Sequence, residues 1–353
     1  MKPPRFPLLS RRGFGMAASL AAATLAVPSL LHAQRPTLEK SRVVIAVGGK
    51  GSFYYLPLTV ADQLGFFKAE GLQVDIGDFA GGSRSLQAVV DGVADVCCGA
   101  FEHTVSLQSK QQFFRCFVLM GRAPQIVVGV SHKTMAQYKT LADLKGKRIG
   151  VTSPGSSTNM AINLLLTQAG LKPSDVTFVG VGAAGEALEA LRSGQIDAIS
   201  NVDPVITMLE QRGDIRVISD TRTLRGAQEV FGGPMLGACL YAPTEFLGRC
   251  PNTAQALTSA IVHALKWIQT AGPSDILKAV PESYWLGDRA LYLAAFGKMR
   301  EAISPDGLVP EQGPATAVRA LASFDPAVQR SKIDLARLFT NDFARRAKMR
   351  FQA

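Results

Sequence analysis

Short apolar runs alternate with amphipathic stretches along the chain from Arg42 to Tyr241. The runs are rich in β-branched residues, which favour strands, and the stretches between them carry apolar residues at helical spacing. Ten strands are predicted: Val43–Val47, Leu72–Phe79, Ala94–Cys98, Arg115–Met120, Gln125–Val130, Arg148–Thr152, Val176–Val181, Ile196–Ser200, Ile215–Ser219 and Met235–Tyr241. Regular alternation of strands and helices predicts an α/β fold with mostly parallel sheets.

Helices are predicted between these strands and throughout the C-terminal part. Beyond Thr244 the strand pattern stops, and helical patterns broken by Pro and Gly follow, which predicts a helical C-terminal segment. The predicted helices are Pro57–Leu64, Arg84–Val90, Ser156–Ala169, Gly185–Arg192, Pro204–Gln211, Thr253–Thr270, Asp288–Ile303, Pro314–Ser323 and Ser331–Arg346.

The segment Val74–Asp95 repeats without a gap at Val176–Asp197. Identical residues include Gly92 with Gly194 and Asp95 with Asp197. The repeated unit is strand, glycine-containing loop, helix and strand, so it predicts two lobes of similar topology. The alternative is that any two such units share this apolar pattern. A length of 353 residues also favours more than one core.

The first 33 residues are typical of an export signal. Lys2, Arg5 and an arginine pair precede the apolar stretch Met16–Leu31, and we expect cleavage after Ala33. The sequence Ser10–Phe14, which contains the arginine pair, is typical of twin-arginine export. An ordinary secretory signal with two adjacent arginines is the alternative. Either route predicts a soluble protein in the periplasm, and the glutamine after the cleavage point predicts no lipid anchor.

Charge and cysteine content narrow the function classes. The formal charge is +10, and removal of the signal leaves 34 basic residues against 28 acidic ones, a mild excess that suits anionic ligands. There is no long basic block, so nucleic-acid binding is not predicted. The five cysteines have no CxxC spacing and the histidines are scattered, so no metal site and no cofactor are predicted. Cys239 and Cys250 are the candidate disulfide pair.

Ligands of open α/β sheets bind beyond the carboxyl ends of the strands. That rule selects the loops Gly48–Phe53, Ala80–Ser83, Gly99–His103, Ser153–Thr158 and Asn201–Pro204. The loops Ala80–Ser83 and Ser153–Thr158 combine glycine with hydroxyl side chains just before a predicted helix. This arrangement can hold an anion. The alternatives are a simple helix cap at Ser153–Thr158 and a flexible turn at Ala80–Ser83.

The predicted ligand-binding residues come from all five loops. Phe53 and Phe101 are expected to form apolar walls, with Tyr54 and Tyr55 as further candidates, and Glu102 or Asp203 to select a ligand donor. Helix capping is the alternative role for Asp203, and a surface position the alternative for Glu102 and His103. The complete set is Ser52, Phe53, Gly81, Gly82, Ser83, Phe101, Glu102, Gly155, Ser156, Ser157, Thr158, Asn201 and Asp203.

The motifs at these loops resemble those of the SsuA/THI5-like periplasmic binding proteins, the nitrate, sulfonate and taurine group. They are Tyr54–Leu58, Leu64–Phe67, Glu70–Leu72, Ala80–Ser83, Gly150–Val151, Pro154–Thr158 and Gly194–Ala198, within a match from Val43 to Gln211. The resemblance implies the type II periplasmic-binding-protein fold. Lobe 1 is expected at residues 41–130 plus 242–350 and lobe 2 at 131–241, with crossings near Val130–Lys133 and Leu240–Ala242.

The resemblance also implies a function. We expect the solute-binding component of an ABC importer, which closes by a hinge around a small organic anion such as a sulfonate or carboxylate. Its partners would be the membrane permease and its ATPase, and we expect a monomer. The alternatives are an enzyme on the same fold, desulfinase-like or pyrimidine-synthase-like, and a periplasmic ligand sensor. No catalytic residues are predicted, because the first loop, Gly48–Ser52, lacks the nucleophilic cysteine of the desulfinases.

Overall fold

The computed structural model describes Met1 and residues 36–353, and residues 37–353 form one compact unit. The predicted export signal therefore lies, apart from Met1, outside the described residues. Ten strands are observed: β1 Arg42–Gly48, β2 Gln73–Phe79, β3 Val96–Ala100, β4 Phe114–Leu119, β5 Ile126–Ser131, β6 Arg148–Val151, β7 Thr177–Gly180, β8 Ala198–Val202, β9 Ile215–Asp220 and β10 Ala238–Pro243.

Fifteen α-helices surround these strands in the described part of the chain. They are α1 Leu56–Gln63, α2 Phe66–Ala69, α3 Gly82–Val90, α4 Glu102–Ser109, α5 Ser157–Gln168, α6 Gly185–Ser193, α7 Val205–Gln211, α8 Leu224–Phe231, α9 Thr244–Arg249, α10 Pro251–Thr270, α11 Pro273–Lys278, α12 Arg289–Met299, α13 Gly313–Ala322, α14 Pro326–Arg330 and α15 Asp342–Phe351. None of the described helices is long and apolar enough to cross a bilayer.

The strands form two five-stranded sheets with the same topology. The first has the order β2-β1-β3-β10-β4 and the second β7-β6-β8-β5-β9. In each sheet the fourth strand, β10 or β5, runs antiparallel to its neighbours. The remaining pairs are parallel, as in Val43 opposite Val74 and Arg148 opposite Thr177. The predicted α/β class with two mostly parallel lobes and a helical C-terminal segment is confirmed.

The internal repeat corresponds to equivalent positions in the two sheets. Gly92 and Gly194 both have positive φ, 74° and 85°, which glycine adopts without strain. Asp95 accepts a hydrogen bond from the backbone N–H of Val44 in β1, and Asp197 accepts one from that of Arg148 in β6. Each aspartate thus ties the strand that follows it to the neighbouring parallel strand, β1 or β6.

Both expected lobe boundaries are wrong. Because β5 belongs to the second sheet, the first crossing lies between Leu119 and Ile126, before the expected Val130–Lys133. Because β10 belongs to the first sheet, the second crossing lies between Asp220 and Ala238 rather than at Leu240–Ala242. The physical reason is the same at both points: the chain enters its new sheet through the antiparallel strand of that sheet, so this strand belongs to the lobe after the crossing.

Apolar cores stabilise each of the two lobes. In the first lobe, α1 and α10 cover one face of the sheet, while α4 and α13 bury the other. In the second lobe, one core contains α6 and α7 and another contains α5. The expected helix Ser331–Arg346 is wrong, because α14 ends at Arg330 and Phe339 forms a β-bridge with Cys116 before α15 begins.

Candidate functional site

A small cavity with about 20 Å³ of free volume lies between the two lobes, and we call it the cleft cavity. Its walls follow the carboxyl ends of parallel strands: Gly48 ends β1, Ala100 ends β3, Thr152 follows β6 and Val202 ends β8. This position agrees with the general rule for ligand sites in open α/β sheets. This free volume has room for roughly one water molecule.

The lining of the cleft cavity is rich in hydroxyl groups. No charged side chain is among the described residues that line it. The polar lining residues are Ser52, Tyr54, Tyr55 and His103 from the first lobe, with Thr152, Ser157 and Thr158 from the second. A ligand here therefore meets hydrogen-bond donors and no formal countercharge.

Two helices begin at the cleft cavity from opposite lobes. Gly82 opens α3, Ser157 and Thr158 open α5, and all three line the cavity. The first N–H groups of a helix have no partner within the helix, and the helix dipole is positive at that end. A Cβ atom at Gly82 would lie 3.3 Å from Cε1 of His103, so a side chain here would require His103 to shift by a few tenths of an ångström.

Several buried polar atoms beside the cavity have no hydrogen-bond partner among the described residues. They are Oγ of Ser52, the hydroxyl of Tyr54 and Nε2 of His103. All three residues are at most 3% exposed. An unpartnered buried polar group costs about 1–3 kcal/mol, so a ligand that satisfies these atoms gains binding energy from them.

His103 is held neutral. Burial lowers its pKa to about 4, although the nearby Gly155 backbone opposes the shift. Nδ1 lies 2.9 Å from the hydroxyl of Tyr241, whose pKa burial raises, so that hydroxyl keeps its proton. When Tyr241 donates to Nδ1, the ring proton is on Nε2 and points a donor at the cavity side.

Glu102, the first residue of α4, is a buried acid next to His103. It is 4% exposed, and its Oε2 has no partner in the described structure. Burial raises its pKa to about 7. The pKa of Tyr54 is also raised, first by burial and then by the charge of Glu102. Glu102 does not line the cleft cavity but a neighbouring apolar one.

Direct hydrogen bonds close the two lobes on each other beside the cavity. Oγ of Ser83 lies 2.7 Å from Oγ of Ser153 and donates to the carbonyl of Pro154 at 2.8 Å. The backbone N–H of Phe53 donates to the carbonyl of Asp203 at 3.0 Å. Gly81 also packs against Ser153, where a side chain would overlap. Gly81 and Ser83 are thus placed as closure contacts.

The loop before α5 is fixed by its own hydroxyls. Ser156 Oγ accepts from Thr152 Oγ1 at 2.8 Å and lies 2.8 Å from Thr158 Oγ1. The N–H of Gly155 donates to Asn159. Ser156 and Gly155 are therefore committed to the loop, while the half-buried Ser157 lines the cavity.

Four other predicted site residues lie outside the cavity lining. Phe53 stacks against Tyr292 with ring centroids 4.2 Å apart, and Phe101 is buried in the core of the first lobe. Asn201 donates to the carbonyl of Gly182. The fourth, Asp203, accepts from the N–H of Thr207 in α7, which is the helix-start role given as its alternative.

Arg222 is the partner of Asp203 that the sequence did not reveal. Its side chain is 4% exposed and forms ion pairs with Asp203, Glu210 and Asp220. Burial raises the pKa of Asp203, and Arg222 opposes that shift. Arg222 lies in the second crossing, 19 residues beyond Asp203, so no local pattern predicts this pair.

The cysteines offer no activated thiol in the described structure. All five are free, so the expected pairing of Cys239 with Cys250 is wrong: Cys239 lies inside β10, whereas Cys250 joins α9 to α10. Burial raises the pKa of Cys97 to about 11 and also raises that of Cys98. Such thiols stay protonated and are poor nucleophiles. The described residues also contain no cluster of three or more His, Cys, Asp or Glu suited to a metal ion.

Comparison with models of known protein families assigns the chain to a family. The family model described as NMT1/THI5 like matches residues 52–272, which contain most of both lobes and every cavity-lining residue except Gly48. The chain belongs to the NMT1/THI5-like family. The resemblance seen in the loop motifs is thereby confirmed.

Solved structures and curated relatives agree with this family assignment. A protein from Bordetella bronchiseptica RB50 is 61% identical, with a TM-score of 0.88 over 90% of this chain and 100% of that one. The alkanesulfonate-binding protein SsuA from Xanthomonas axonopodis pv. citri, bound to MOPS, is 19% identical, with a TM-score of 0.64 over 86% and 100%. YtlA of Bacillus subtilis, named as a binding protein, is 22% identical over 79% of this chain and 81% of its own.

Some relatives of this NMT1/THI5-like chain are named as enzymes. The 4-amino-5-hydroxymethyl-2-methylpyrimidine phosphate synthase of Schizosaccharomyces pombe is 23% identical over 64% of this chain and 65% of its own. The relatives therefore include both binding proteins and synthases. The residues of the candidate site must indicate to which of these two classes this chain is closer.

Proposed function

We propose that this protein is the exported solute-binding component of an ABC importer and that it closes around a small organic anion. The observation that carries the proposal is the cleft cavity, where the starts of α3 and α5 meet unpartnered buried donors of Ser52, Tyr54 and His103. A carboxylate or sulfonate presents only acceptors and would satisfy these groups.

The charge of the anion is matched by dipoles rather than by a cation. Two helix N-termini approach the cavity from opposite lobes, and each favours negative charge by about 0.3–1 kcal/mol or more when partly buried. Closed lobes are needed to bring both together, so ligand and closure stabilise each other. The cross-lobe bonds of Ser83 would then hold the closed form that the permease recognises.

Structural neighbours support the same class of function. SsuA, whose ligand in its structure is the sulfonate MOPS, shares the fold. Export to the periplasm and docking on a permease with its ATPase follow from this class, as does a monomeric state that leaves both lobes free to move.

Charge reversal at Ser157 tests the anion site. Ser157→Asp places a carboxylate in the cavity, and Ser157→Asn has the same shape without the charge. The chain from Gln34 onward is suitable, because residues 37–353 form one compact unit. In a thermal-shift screen of sulfonates, carboxylates and nitrate, a ligand at a hundred times its Kd adds about 2.7 kcal/mol to the unfolding free energy.

We expect at least about tenfold weaker binding of the selected anion to Ser157→Asp than to Ser157→Asn, since like charges at contact distance repel by more than 1 kcal/mol. Gln168→Glu adds the same charge at the far end of α5 and should change the affinity little. Equal affinities for the two Ser157 variants, or no stabilisation by any anion, would contradict the proposal.

An enzyme is the second candidate function, favoured by the relatives that are named as synthases. The raised pKa values of Cys97 and Cys98 argue against a thiol nucleophile in this chain. Recovery of the ligand chemically unchanged after prolonged incubation supports a binding protein, whereas its consumption supports the enzyme. A periplasmic sensor would share the same site, and capture of a receptor rather than of a permease would identify it.

A further inference from the structure

Helix α12 contacts the cores of both lobes. It follows β10 in the chain, after the second crossing has returned the chain to the first lobe. Tyr292 and Phe296 pack in the apolar core of the first lobe, together with α1 and α10. The preceding residue, Leu291, is buried instead in the core of the second lobe, which contains Val205 and Leu209 of α7. A single helix therefore joins the two cores.

An ion pair adds to the contact between α12 and the second lobe. Nζ of Lys298 lies 2.6 Å from Oε2 of Glu210, which belongs to α7. Glu210 also pairs with Arg222 of the second crossing, at 3.1 Å. The side chains of Lys298 and Glu210 are 37% and 29% exposed, so solvent screens their attraction. The buried apolar contact of Leu291 is therefore the stronger of the two links to α7.

The chain beyond α12 packs against both crossings, where a hinge movement of the lobes would take place. The carbonyl of Ala302 accepts from the N–H of Arg122 in the first crossing at 2.7 Å. Oε1 of Glu301 accepts from the N–H of Leu224 in the second crossing at 2.9 Å. Leu291 lies about 10 Å further along α12 from this end than Lys298 does. A rotation of the lobes about the crossings would therefore displace Leu291 from α7 by more than it displaces Lys298.

The same helix supports a loop of the cleft cavity. The ring of Phe53 stacks on that of Tyr292, and the backbone N–H of Phe53 donates across the lobes to the carbonyl of Asp203. Asp203 in turn accepts from the N–H of Thr207 in α7. The residues beside Phe53, Ser52 and Tyr54, line the cleft cavity. If α7 moved away from α12, the bond between Phe53 and Asp203 would break as well.

We propose that α12 is a strap between the lobes: it stays fixed to the first lobe, and its contact with α7 through Leu291 and Lys298 keeps the lobes together without added ligand. The cleft cavity has room for roughly one water molecule, so a larger molecule can enter only when the lobes move apart. The contact of α12 with α7 must break in that movement and therefore sets how often the cleft opens. The strap concerns the protein alone and goes beyond the choice of ligand.

Hydrogen exchange at the Phe53 amide measures this opening directly, because its hydrogen bond joins the two lobes. Leu291→Ala removes most of the buried contact with α7, so we expect exchange of this amide without ligand to become at least about tenfold faster. Lys298→Met removes only the screened ion pair and should accelerate exchange by at most about fivefold.

Spin labels show whether the lobes themselves separate. The labels are attached at Asp91→Cys on the first lobe and Glu189→Cys on the second, both exposed positions. Cys250→Ser removes the accessible native thiol, since the other four cysteines are buried. Double electron–electron resonance on this background should give one short distance, and Leu291→Ala should add a longer one.

Leu293→Ala is the matched control. It truncates the same type of side chain on the same helix, where Leu293 packs against the core of the first lobe, so Phe53 exchange and label distance should stay as in the wild type. Circular dichroism and the midpoint of thermal unfolding verify that each variant is folded.

Three results would overturn the strap. The first is equal Phe53 exchange in Leu291→Ala and Leu293→Ala. The second is a wild-type distance distribution that already consists mainly of separated lobes. If Leu291→Ala does not fold, Lys298→Met decides, and exchange as slow as in the wild type would be the third.

Discussion

The neighbours Glu102 and His103 predict an unusual dependence of stability on pH in the ligand-free protein. Burial raises the pKa of Glu102 from 4.5 to about 7 and lowers that of His103 from 6.5 to about 4. At about 1.4 kcal/mol per pH unit, each shift corresponds to roughly 3 kcal/mol of unfolding free energy. The folded state favours the neutral form of both residues.

The two contributions have opposite signs. The contribution of protonated Glu102 is fully present below about pH 4.5 and is lost as the pH rises to about 7. The contribution of neutral His103 is fully present above about pH 6.5 and is lost as the pH falls to about 4. Between about pH 4.5 and 6.5 their slopes, each about 1.4 kcal/mol per pH unit, largely cancel.

Single substitutions should expose each slope. We would measure unfolding free energies by denaturant titration across this range for the wild type, Glu102→Gln and His103→Gln. Relative to the wild type, Glu102→Gln should gain stability as the pH rises, and His103→Gln should lose it, each by about 1.4 kcal/mol per unit. Differences from the wild type remove the contributions of all other titrating groups.

A matched substitution controls for the change of side chain. Glu189→Gln makes the same replacement at an exposed position on α6. If the difference curve of Glu102→Gln were as flat as that of the control, the carboxyl of Glu102 would not be buried without a partner.

Two further predictions concern the crossing and the thiols. Arg222→Met leaves the 2%-exposed Asp203 without its cation and should lower the unfolding free energy by about 3–5 kcal/mol. The double variant Arg222→Met, Asp203→Asn should recover part of this loss. A loss below about 1 kcal/mol would contradict the ion-pair assignment. In the native protein a thiol reagent should react rapidly with Cys250 alone, because the other four cysteines are buried. Fewer than five reactive thiols after unfolding without reductant would reveal a disulfide.

Most of the fold could be predicted from periodicity, because strands and long helices bury apolar residues at regular spacing. The prediction of helices failed where the buried residues are polar or where contacts between residues distant in sequence decide the local structure. Helix α4 begins with Glu102, His103 and Thr104, which are buried but polar, so no apolar stripe marks it. The expected helix over Ser331–Arg346 was wrong because the β-bridge of Phe339 to Cys116 holds that stretch outside a helix. Neither the burial of the polar residues of α4 nor the β-bridge of Phe339 can be recognised from the local sequence.

The candidate site was predictable at the level of loops but not of individual side chains. Glycine and hydroxyl patterns led to Gly82, Ser157 and Thr158, which line the cleft cavity. The same patterns could not show that Ser156 bonds within its loop. Nor could they show that Asp203 pairs with Arg222 in a distant crossing, since both facts depend on where the lobes meet.

The order of strands has a consequence for how the chain is completed during synthesis. The stretch from β5 to β9 contains the whole second sheet, whereas the first sheet needs β10, which enters between β3 and β4 only after the second lobe has been made. Among the described strands, β4 pairs in its sheet with β10 alone. A ribosome produces the N-terminal part first. The lobe that is begun first is therefore the last that can be finished, and a chain truncated before Ala238 lacks a central strand of it.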